Sequence, residues 1–315
     1  MKKYKASVII VTHNQSRILA LQIAALENQK HINTKEDFEV IVTDDSSSAE
    51  ELIMIKKFLD ESTLNILLIT QNTPKYWAAK ARNNAIKKAT GDILIFLDGD
   101  MVPENDVISR HLEYHQNYPN TILAGHRIRK DSISESNIYL FWEFCRKQKA
   151  TNANVLRWQK TEERQRREYL NSSNPWKAIF SCHMSIRATK EVLFDENFKG
   201  WGPEDWELAY RLTKKTKRNI HFASDIIAYE IDELGDGASN VFRNKSSEAI
   251  IDYLRNTIYF FDKCPGLNLE EVFWGFRKIH LSKNDTWVIT PSNPNCDLAS
   301  HVEIVRQWLV KHNIN

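Results

Sequence analysis

The segment Asp98-Gly99-Asp100 sets two carboxylates one glycine apart, directly after the apolar residues 92–97. Acids at this spacing can converge on one hard divalent cation, which takes oxygen ligands and can bridge a diphosphate. A cation held there would neutralise the charge that builds on a phosphate leaving group. Because Asp-Gly is also a common turn dipeptide, the place of this motif at a strand end is what favours a functional interpretation over a plain turn.

A second acidic pair, Asp44 and Asp45, also follows a strand-like segment, residues 38–43. Carboxylates can accept hydrogen bonds from the N–H of a nucleobase or from ribose hydroxyls. Helix capping is the alternative interpretation, but Ser48 already suffices as a cap. Three polar residues that end the first predicted strand share this edge and are expected to line a base pocket: Thr12, His13 and Asn14.

A third acidic segment reads GWGPEDWE from Gly200 to Glu207. Acids in the first turn after Pro203 can simply stabilise the start of a helix. That alternative does not explain the tryptophans that frame them, since aromatic rings stack on the apolar faces of sugars. A carboxylate between two such rings could take a proton from a sugar hydroxyl as a general base. Three residues are therefore candidates for acceptor binding: Trp201, Gly202 and Trp206.

Weaker signals come from Asn72, Arg82 and His183. Arg82 lies on the helix predicted after the third strand and could pair with Asp98 or with a phosphate; a structural ion pair is the alternative. Asn72 follows that third strand. His183 lies near another strand end, where a lone histidine is more often a packed residue than a ligand.

Strands and helices alternate through the first hundred residues, and this order places the acids. Short apolar runs predict strands at residues 6–12, 38–43, 65–70, 92–97 and 121–128. Helices are predicted between them, including residues 75–89 and 104–116. Such an order predicts an α/β fold with a doubly wound, mostly parallel sheet flanked by helices. Ligands of these sheets bind at the carboxyl ends of the strands, where the acids stand.

The second half of the chain is predicted in less detail. Residues 177–186 and 219–231 have strand character, with a loop at 194–202 and a helix at 203–216 between them. Residues 137–149 and 157–168 are predicted as two helices of an insertion at about 137–171, either a solvated surface or an acceptor-facing lid. Helices at 246–263, 269–281 and 297–312 are expected to form a C-terminal extension. This gives a domain of residues 1–236 and a helical extension of residues 237–315.

Composition limits the function classes. The chain has 315 residues, 42% of them hydrophobic, and a net charge of +2, which gives no support to nucleic-acid binding. Its four cysteines are widely spaced and are expected to be reduced thiols rather than a zinc site. Because no run reaches the ~18 apolar residues of a transmembrane span, the sequence favours a cytoplasmic protein, with peripheral membrane association through a partner left open.

Four stretches together resemble the inverting family-2 glycosyltransferases of the GT-A fold: SVIIVTHNQ, VTDDSS, ARNNAIKKATGDILIFLDGD and GWGPEDWELAYRL. The last is also similar to the acceptor-side motif of β-1,4-galactosyltransferases, chondroitin-type polymerases and polypeptide N-acetylgalactosaminyltransferases. The resemblance covers roughly residues 6–231. None of the four is decisive alone, but their order is specific.

The resemblance implies a role for each acid. Asp44 and Asp45 are expected to hold the uracil and ribose of a UDP-sugar, and Asp98 to contact the ribose or the sugar. Other residues expected at the same nucleotide-sugar site are Thr12, His13, Asn14, Asn72, Arg82 and Gly99. Asp100, with Asp98, is expected to bind Mn²⁺ or Mg²⁺. On the acceptor side, Asp205 is the expected base, Glu204 the acceptor ligand and Trp201 the border of the acceptor sugar.

One departure from the family concerns the metal. Several relatives supply a histidine as third ligand from the strand after the helix of the acidic motif, where this chain has Ala228-Tyr229-Glu230. Glu230, His183 or water is the expected replacement.

These patterns predict a metal-assisted, inverting transfer of a sugar from a nucleotide diphosphate to a hydroxyl of a saccharide, lipid-linked or peptide acceptor. Transfer to a Ser, Thr or Cys side chain of a peptide is one alternative, and a sugar-nucleotide-binding protein without activity is another. A nucleotidyltransferase is disfavoured because residues 13–17 lack the glycine-rich loop that such enzymes carry.

Overall fold

The computed structural model describes residues 3–130, 153–231 and 246–314, with the backbone alone at 129–130 and 153–161. Eight strands form the main sheet: β1 (Ala6–Thr12), β2 (Phe38–Asp45), β3 (Ile66–Gln71), β4 (Ile93–Asp98), β5 (Met101–Pro103), β6 (Thr121–Lys130), β7 (His183–Arg187) and β8 (Asn219–Ile231). Its helices are α1 (Ser16–Glu27), α2 (Ala49–Asp60), α3 (Ala78–Ile86), α4 (Val107–Asn117), α5 (Ala153–Leu170) and α6 (Glu204–Thr216). The C-terminal part holds α7 (Ser247–Lys263), α8 (Leu269–Val272), β9 (Ile279–Leu281), β10 (Trp287–Ile289) and α9 (Leu298–Lys311).

The strand order of the main sheet is β3-β2-β1-β4-β7-β6-β8-β5. β1 pairs in parallel with both β2 and β4, whereas β7 runs antiparallel to β4 and β6, and β5 antiparallel to β8. All seven residues of β1 are buried, as expected of a strand covered on both faces. The α/β fold with a doubly wound, mostly parallel sheet flanked by helices is therefore confirmed.

The register of the central strands brings the first two acid groups together. Thr12 lies opposite Asp44, and Val11 lies opposite Asp98. The carboxyl ends of β1, β2 and β4 thus meet at one edge of the sheet, which is the edge that the sequence predicts for a ligand.

Several predicted elements are wrong in their bounds. The helix predicted at residues 104–116 begins only at Val107, because Pro103 ends strand β5 opposite Ala228. The strand predicted at residues 177–186 begins only at His183, after a 3-10 turn at Pro175–Ala178.

The helix predicted over residues 269–281 is also wrong. α8 covers four residues and is followed by a 3-10 turn at Trp274–Lys278 and by β9, which pairs with β10. Gly275 lowers helix stability here, and the buried side chains of Phe273 and Phe276 direct the chain into the core. The C-terminal part is mostly helical but adds this two-stranded sheet.

Helix α5 includes residues 157–168 of the predicted insertion; the helix predicted at 137–149 and the boundary near residue 236 lie outside the described residues. Arg166 on α5 has no exposed surface, so α5 is packed on the domain and is not a wholly solvated helix.

The C-terminal helix α7 joins the main hydrophobic core. Its buried residues Leu254 and Phe260 belong to the same cluster as Trp176 and Phe198. Among the described helices, none combines the length and the apolar character that crossing a bilayer requires.

Candidate active site

Two buried oxygens without protein partners mark the edge formed by β1 and β2. Asp44 is 2% exposed, and its Oδ2 accepts a hydrogen bond from the Ser47 N–H at 3.3 Å. Asp44 Oδ1 and Thr12 Oγ1 have no hydrogen-bond partner within the described parts of the chain. Since buried polar groups are normally satisfied, this pair of register neighbours is suited to a polar ligand.

Asp45 has a different role from Asp44. Its Oδ1 accepts hydrogen bonds from Gln71 Nε2 at 2.6 Å and Thr73 Oγ1 at 3.1 Å, and its Oδ2 accepts from the Trp77 N–H at 2.5 Å. Both oxygens are thus engaged within the protein, and they fix the loop between β3 and α3. The expectation that Asp45 binds the nucleoside together with Asp44 is therefore corrected: its carboxylate positions that loop.

His13 and Asn14 form the exposed side of this edge. The Nδ1–H of His13 donates to the Asp45 carbonyl oxygen at 2.7 Å, and Asn14 Nδ2 donates to His13 Nε2 at 3.1 Å. The His13 ring lies edge-on to Tyr76, with ring centroids 6.2 Å apart. Asn72 is also exposed, in the loop after β3.

A buried arginine joins two of the acid groups. Arg82, on α3 and only 3% exposed, donates from Nη2 to Asp98 Oδ1 at 2.8 Å and from Nη1 to Glu204 Oε1 at 2.9 Å. Burial alone would lower the pKa of Arg82, but the two carboxylates raise it. Residues more than a hundred positions apart in the chain therefore meet at Arg82, and the pairing predicted between Arg82 and Asp98 is present.

Glu204 and Asp205 begin helix α6 in different surroundings. Burial and the neighbouring Asp205 raise the pKa of Glu204 to about 7 despite Arg82. Asp205 forms no ion pair among the described residues; it accepts from the Trp206 N–H at 2.8 Å and the Ser181 N–H at 3.3 Å. Burial raises its pKa to about 6. Two backbone hydrogen bonds thus hold the Asp205 carboxylate in place, and its pKa lies close to neutral pH.

Asp100 lies in the turn between β4 and β5, and the next residue, Met101, pairs with Glu230 of β8. The Asp100 carbonyl accepts from the Ile231 N–H at 2.9 Å, since β5 pairs with β8 here. Burial, Glu230 and Asp98 together raise the pKa of Asp100 well above its usual range. Within the part of the chain that the structure describes, no three metal-ligating side chains come close enough to hold an ion by themselves.

His183 is not suited to replace the missing histidine ligand. It is fully buried; its Nε2 lies 3.2 Å from His111 Nε2 and its Nδ1 lies 3.2 Å from the His126 carbonyl oxygen. Burial lowers the pKa of His183 to about 3. Because both ring nitrogens are engaged in the core, the expectation of His183 as a metal ligand is wrong.

Helix α7 supports the loop that carries Trp201. Asn256 Nδ2 donates to the carbonyl oxygens of Lys199 at 2.9 Å and Trp201 at 3.0 Å. A Cβ on Gly202 would lie 2.4 Å from Asn256 Nδ2, so the loop packs against α7 more closely than any side chain allows. Trp201 itself packs against Tyr253 of α7, with ring centroids 5.4 Å apart.

The two tryptophans of this segment differ in surroundings. Trp206 packs edge-on against the buried Trp176, with ring centroids 5.6 Å apart, and its indole nitrogen is buried. Trp206 thus helps to anchor α6 on the core. Trp201 lies in the loop before α6; both rings are partly exposed, and acceptor binding by Trp201 and Trp206 stays a prediction.

We expect Asn256→Ala to loosen this loop without affecting the nucleotide edge. Two partly buried carbonyl oxygens lose this donor, that of Lys199 keeping Arg255 Nη2, so the free energy of unfolding falls by about 1–3 kcal/mol. The KM for the acceptor rises while the affinity for UDP is unchanged. Urea unfolding and steady-state kinetics measure the two effects.

The matched control is Asn65→Ala, which removes an exposed asparagine that also donates to a backbone carbonyl, that of Lys35. This variant should change neither the free energy of unfolding nor the KM for the acceptor. Equal behaviour of the Asn256 and Asn65 variants would contradict the supporting role of α7.

Sequence reasoning missed the residues that hold the site together. Asn256 lies in the C-terminal part, which carried no motif. Arg127 lies in β6 near Glu230, and a charged residue inside a predicted strand was the signal that could have found it. Gly99 was assigned to the nucleotide-sugar; a Cβ there would lie 2.9 Å from Thr12 Oγ1, so the glycine permits close packing of β1 and β4.

The chain is similar in sequence to known proteins. The family model of glycosyl transferase family 2 matches residues 7–188. A chondroitin synthase of Pasteurella multocida is 31% identical over 234 residues, 68% of this chain and 23% of the relative. A hyaluronan synthase of the same species is 29% identical over 225 residues, 65% of this chain and 22% of the relative. The chain thus spans less than a quarter of the length of these two relatives.

Solved structures share the fold at low sequence identity. Staphylococcus aureus TarS 1-349 in complex with UDP-GlcNAc has a TM-score of 0.55 at 18% identity, covering 98% of this chain and 72% of its own. A mannosyltransferase of Pyrobaculum calidifontis in complex with GDP-Man and Mn²⁺ has a TM-score of 0.54 at 14% identity, covering 99% and 75%.

Proposed function

The chain belongs to glycosyl transferase family 2. We propose that it transfers sugar from a UDP-sugar to an acceptor hydroxyl, and that the transfer is metal-assisted and inverts the anomeric configuration. The observation that carries this proposal is Arg82, which ties Asp98 of the donor edge to Glu204 of the acceptor side. One cleft therefore contains a donor side and an acceptor side.

The donor side binds the nucleotide through its unpartnered oxygens. Asp44 Oδ1 accepts from the uracil N–H, and Thr12 Oγ1 lies beside it on the next strand. Asp45 keeps its structural role and acts on the nucleotide only through the loop that it fixes. The solved relative in complex with UDP-GlcNAc supports the choice of a UDP-sugar.

A divalent cation, Mn²⁺ or Mg²⁺, fits the residues beside the diphosphate. Three carboxylates lie near one another there, since Glu230 and Asp98, after burial, raise the pKa of Asp100. Mg²⁺ sites commonly use one or two carboxylates, with substrate phosphates and water as the other ligands, which agrees with the lack of a complete cage among the described residues. Asp100 is the proposed ligand, and Glu230 or Asp98 supplies the second carboxylate. When bound, the cation neutralises the charge of the departing diphosphate.

Asp205 is the proposed general base. Glu204 is held by Arg82, whereas Asp205 is fixed only by backbone N–H groups and keeps lone pairs for an acceptor hydroxyl. A base with a pKa of about 6 is mostly ionised at neutral pH and still has the proton affinity that proton transfer requires. Attack from the Asp205 side, opposite the diphosphate, is a single displacement and so inverts the anomeric carbon.

The acceptor side is bordered by Trp201, and Glu204 is close enough to the base to hydrogen-bond a second acceptor hydroxyl. The relatives named chondroitin synthase and hyaluronan synthase favour a saccharide acceptor over a peptide side chain.

The metal assignment predicts a thermal shift. UDP with Mn²⁺, at about 100 times the dissociation constant, should stabilise the wild-type chain by about 2.7 kcal/mol. Asp100→Ala should lose the part of this shift that depends on Mn²⁺. Asp225→Ala, which removes an exposed carboxylate paired with Arg110, is the control and should retain the full shift. A full Mn²⁺-dependent shift in Asp100→Ala would exclude Asp100 as a ligand.

A further inference from the structure

A partly buried cation, 23% exposed, lies beside the proposed metal ligands. Arg127, on β6, places its Nε 3.4 Å from Glu230 Oε2 and 3.6 Å from Glu162 Oε2. These distances exceed those of a hydrogen bond, and within the described residues this buried Nε has no hydrogen-bond partner. The guanidinium is therefore shared between two carboxylates, one on β8 beside Asp100 and the other on helix α5.

Glu162 is fixed by a different arginine. Its Oε1 accepts from Arg166 Nη2 at 2.8 Å and from Arg166 Nε at 3.1 Å. Arg166 is fully buried, donates to the Ala178 carbonyl oxygen, and lies 4.6 Å from the ring of Phe180. One oxygen of Glu162 is thus held rigidly by α5 itself, and the other faces Arg127.

The Arg127 guanidinium also lies close to Asp100 along the sheet, because Glu230, 3.4 Å from Arg127 Nε, pairs with Met101, the residue after Asp100. An arginine cannot lose its proton in a protein, so this positive charge is permanent. A divalent cation at Asp100 and Glu230 would therefore be repelled by Arg127, and the repulsion would depend on how closely Arg127 approaches Glu230.

We propose that Arg127 is an internal counter-ion that competes with the divalent cation for Glu230 and Asp100, and that Glu162 draws it away from them. Metal affinity is then set by a residue of α5 that does not touch the metal. This inference rests on the proposed metal site of Asp100.

Direct measurement of Mn²⁺ binding to the full chain with UDP present tests this proposal, with free Mn²⁺ followed by electron paramagnetic resonance. Arg127→Met removes the competing charge and should tighten Mn²⁺ binding about tenfold. Glu162→Gln keeps an oxygen for Arg166 but releases Arg127 toward Glu230, so it should weaken Mn²⁺ binding by about threefold or more. The double variant should behave like Arg127→Met, and Arg127→Lys, which keeps the charge, should stay near wild type.

The dissociation constant for Mn²⁺ should fall in Arg127→Met and rise in Glu162→Gln. These opposite changes separate the effect of charge from a loss of packing, because a loss of packing would weaken Mn²⁺ binding in both variants. Weaker Mn²⁺ binding in a folded Arg127→Met, or an unchanged dissociation constant in Glu162→Gln, would overturn the proposal. If Arg127→Met fails to fold, Glu162→Gln alone decides. Asp100→Ala is measured in parallel: retained Mn²⁺ binding there refutes the metal site itself, whereas lost binding with unshifted Arg127 and Glu162 variants refutes only the competition.

Discussion

Asp205→Asn is expected to lower the rate of sugar transfer by about 10²–10⁴-fold while the affinity for UDP stays at the wild-type value. The amide is nearly the same size as the carboxylate. Its one oxygen can still accept from the Trp206 N–H, the shorter of the two backbone contacts, and its NH2 group takes the place of the oxygen that faces Ser181. It cannot take the proton of an acceptor hydroxyl. Release of UDP with saturating donor and acceptor measures the rate, and isothermal titration calorimetry measures the binding of UDP.

The pH dependence gives a second sign of the same role. Burial raises the pKa of Asp205 to about 6, so the carboxylate becomes protonated as pH falls through that value. Wild-type kcat/KM should therefore decline below about pH 6, and the residual activity of Asp205→Asn should lack this decline. Asp262→Asn, at a half-exposed carboxylate paired with Arg306 on the C-terminal helices, is the control and should match wild type. A wild-type rate in Asp205→Asn would remove the base assignment.

Arg82→Met is expected to lower the free energy of unfolding by about 3 kcal/mol and to abolish transfer. In the wild-type chain, Arg82 Nη2 lies 2.8 Å from Asp98 Oδ1 and Arg82 Nη1 lies 2.9 Å from Glu204 Oε1. Methionine carries no charge, so the two carboxylates lose the buried cation that they share. Arg82→Lys should be intermediate, because one ammonium group cannot repeat the two-armed contact of the guanidinium. Urea unfolding monitored by circular dichroism measures stability, and the transfer assay measures activity.

Lys87→Met is the matched control for Arg82→Met. Lys87 directly follows α3, is 57% exposed and lies 3.6 Å from Glu196. A surface ion pair of this kind contributes about 0–1 kcal/mol. If Arg82→Met were as stable and active as Lys87→Met, Arg82 would not connect the two sides of the cleft.

The central sheet was predictable because its strands are short, apolar and separated by helices. Parallel strands place their carboxyl ends at one edge, so the gathering of Asp44 and Asp98 followed from the order of the elements alone. The contact with Glu204 did not follow from that order, because it depends on the path of the chain after β7. The GWGPEDWE motif predicted acceptor binding but not the contact of Glu204 with Arg82.

The roles of adjacent acids were harder to predict. Consecutive residues of a strand point to opposite faces, so Asp44 and Asp45 could not both face one ligand. The partners of Asp45 come from residues 71–77, and the sequence gives no sign that they meet it. His183 was misassigned for a similar reason: its ring faces His111 of α4, and only the packed structure shows which side of the sheet it occupies.

A crystal structure of the chain with UDP and Mn²⁺ would show whether the donor and acceptor residues share one site. We expect the uracil within hydrogen-bond distance of Asp44 Oδ1 and the diphosphate with Mn²⁺ beside Asp100. Asp205 should face the same site from the acceptor side. A nucleotide bound elsewhere on the molecule, or one with its diphosphate turned away from Asp98 and Asp100, would contradict it.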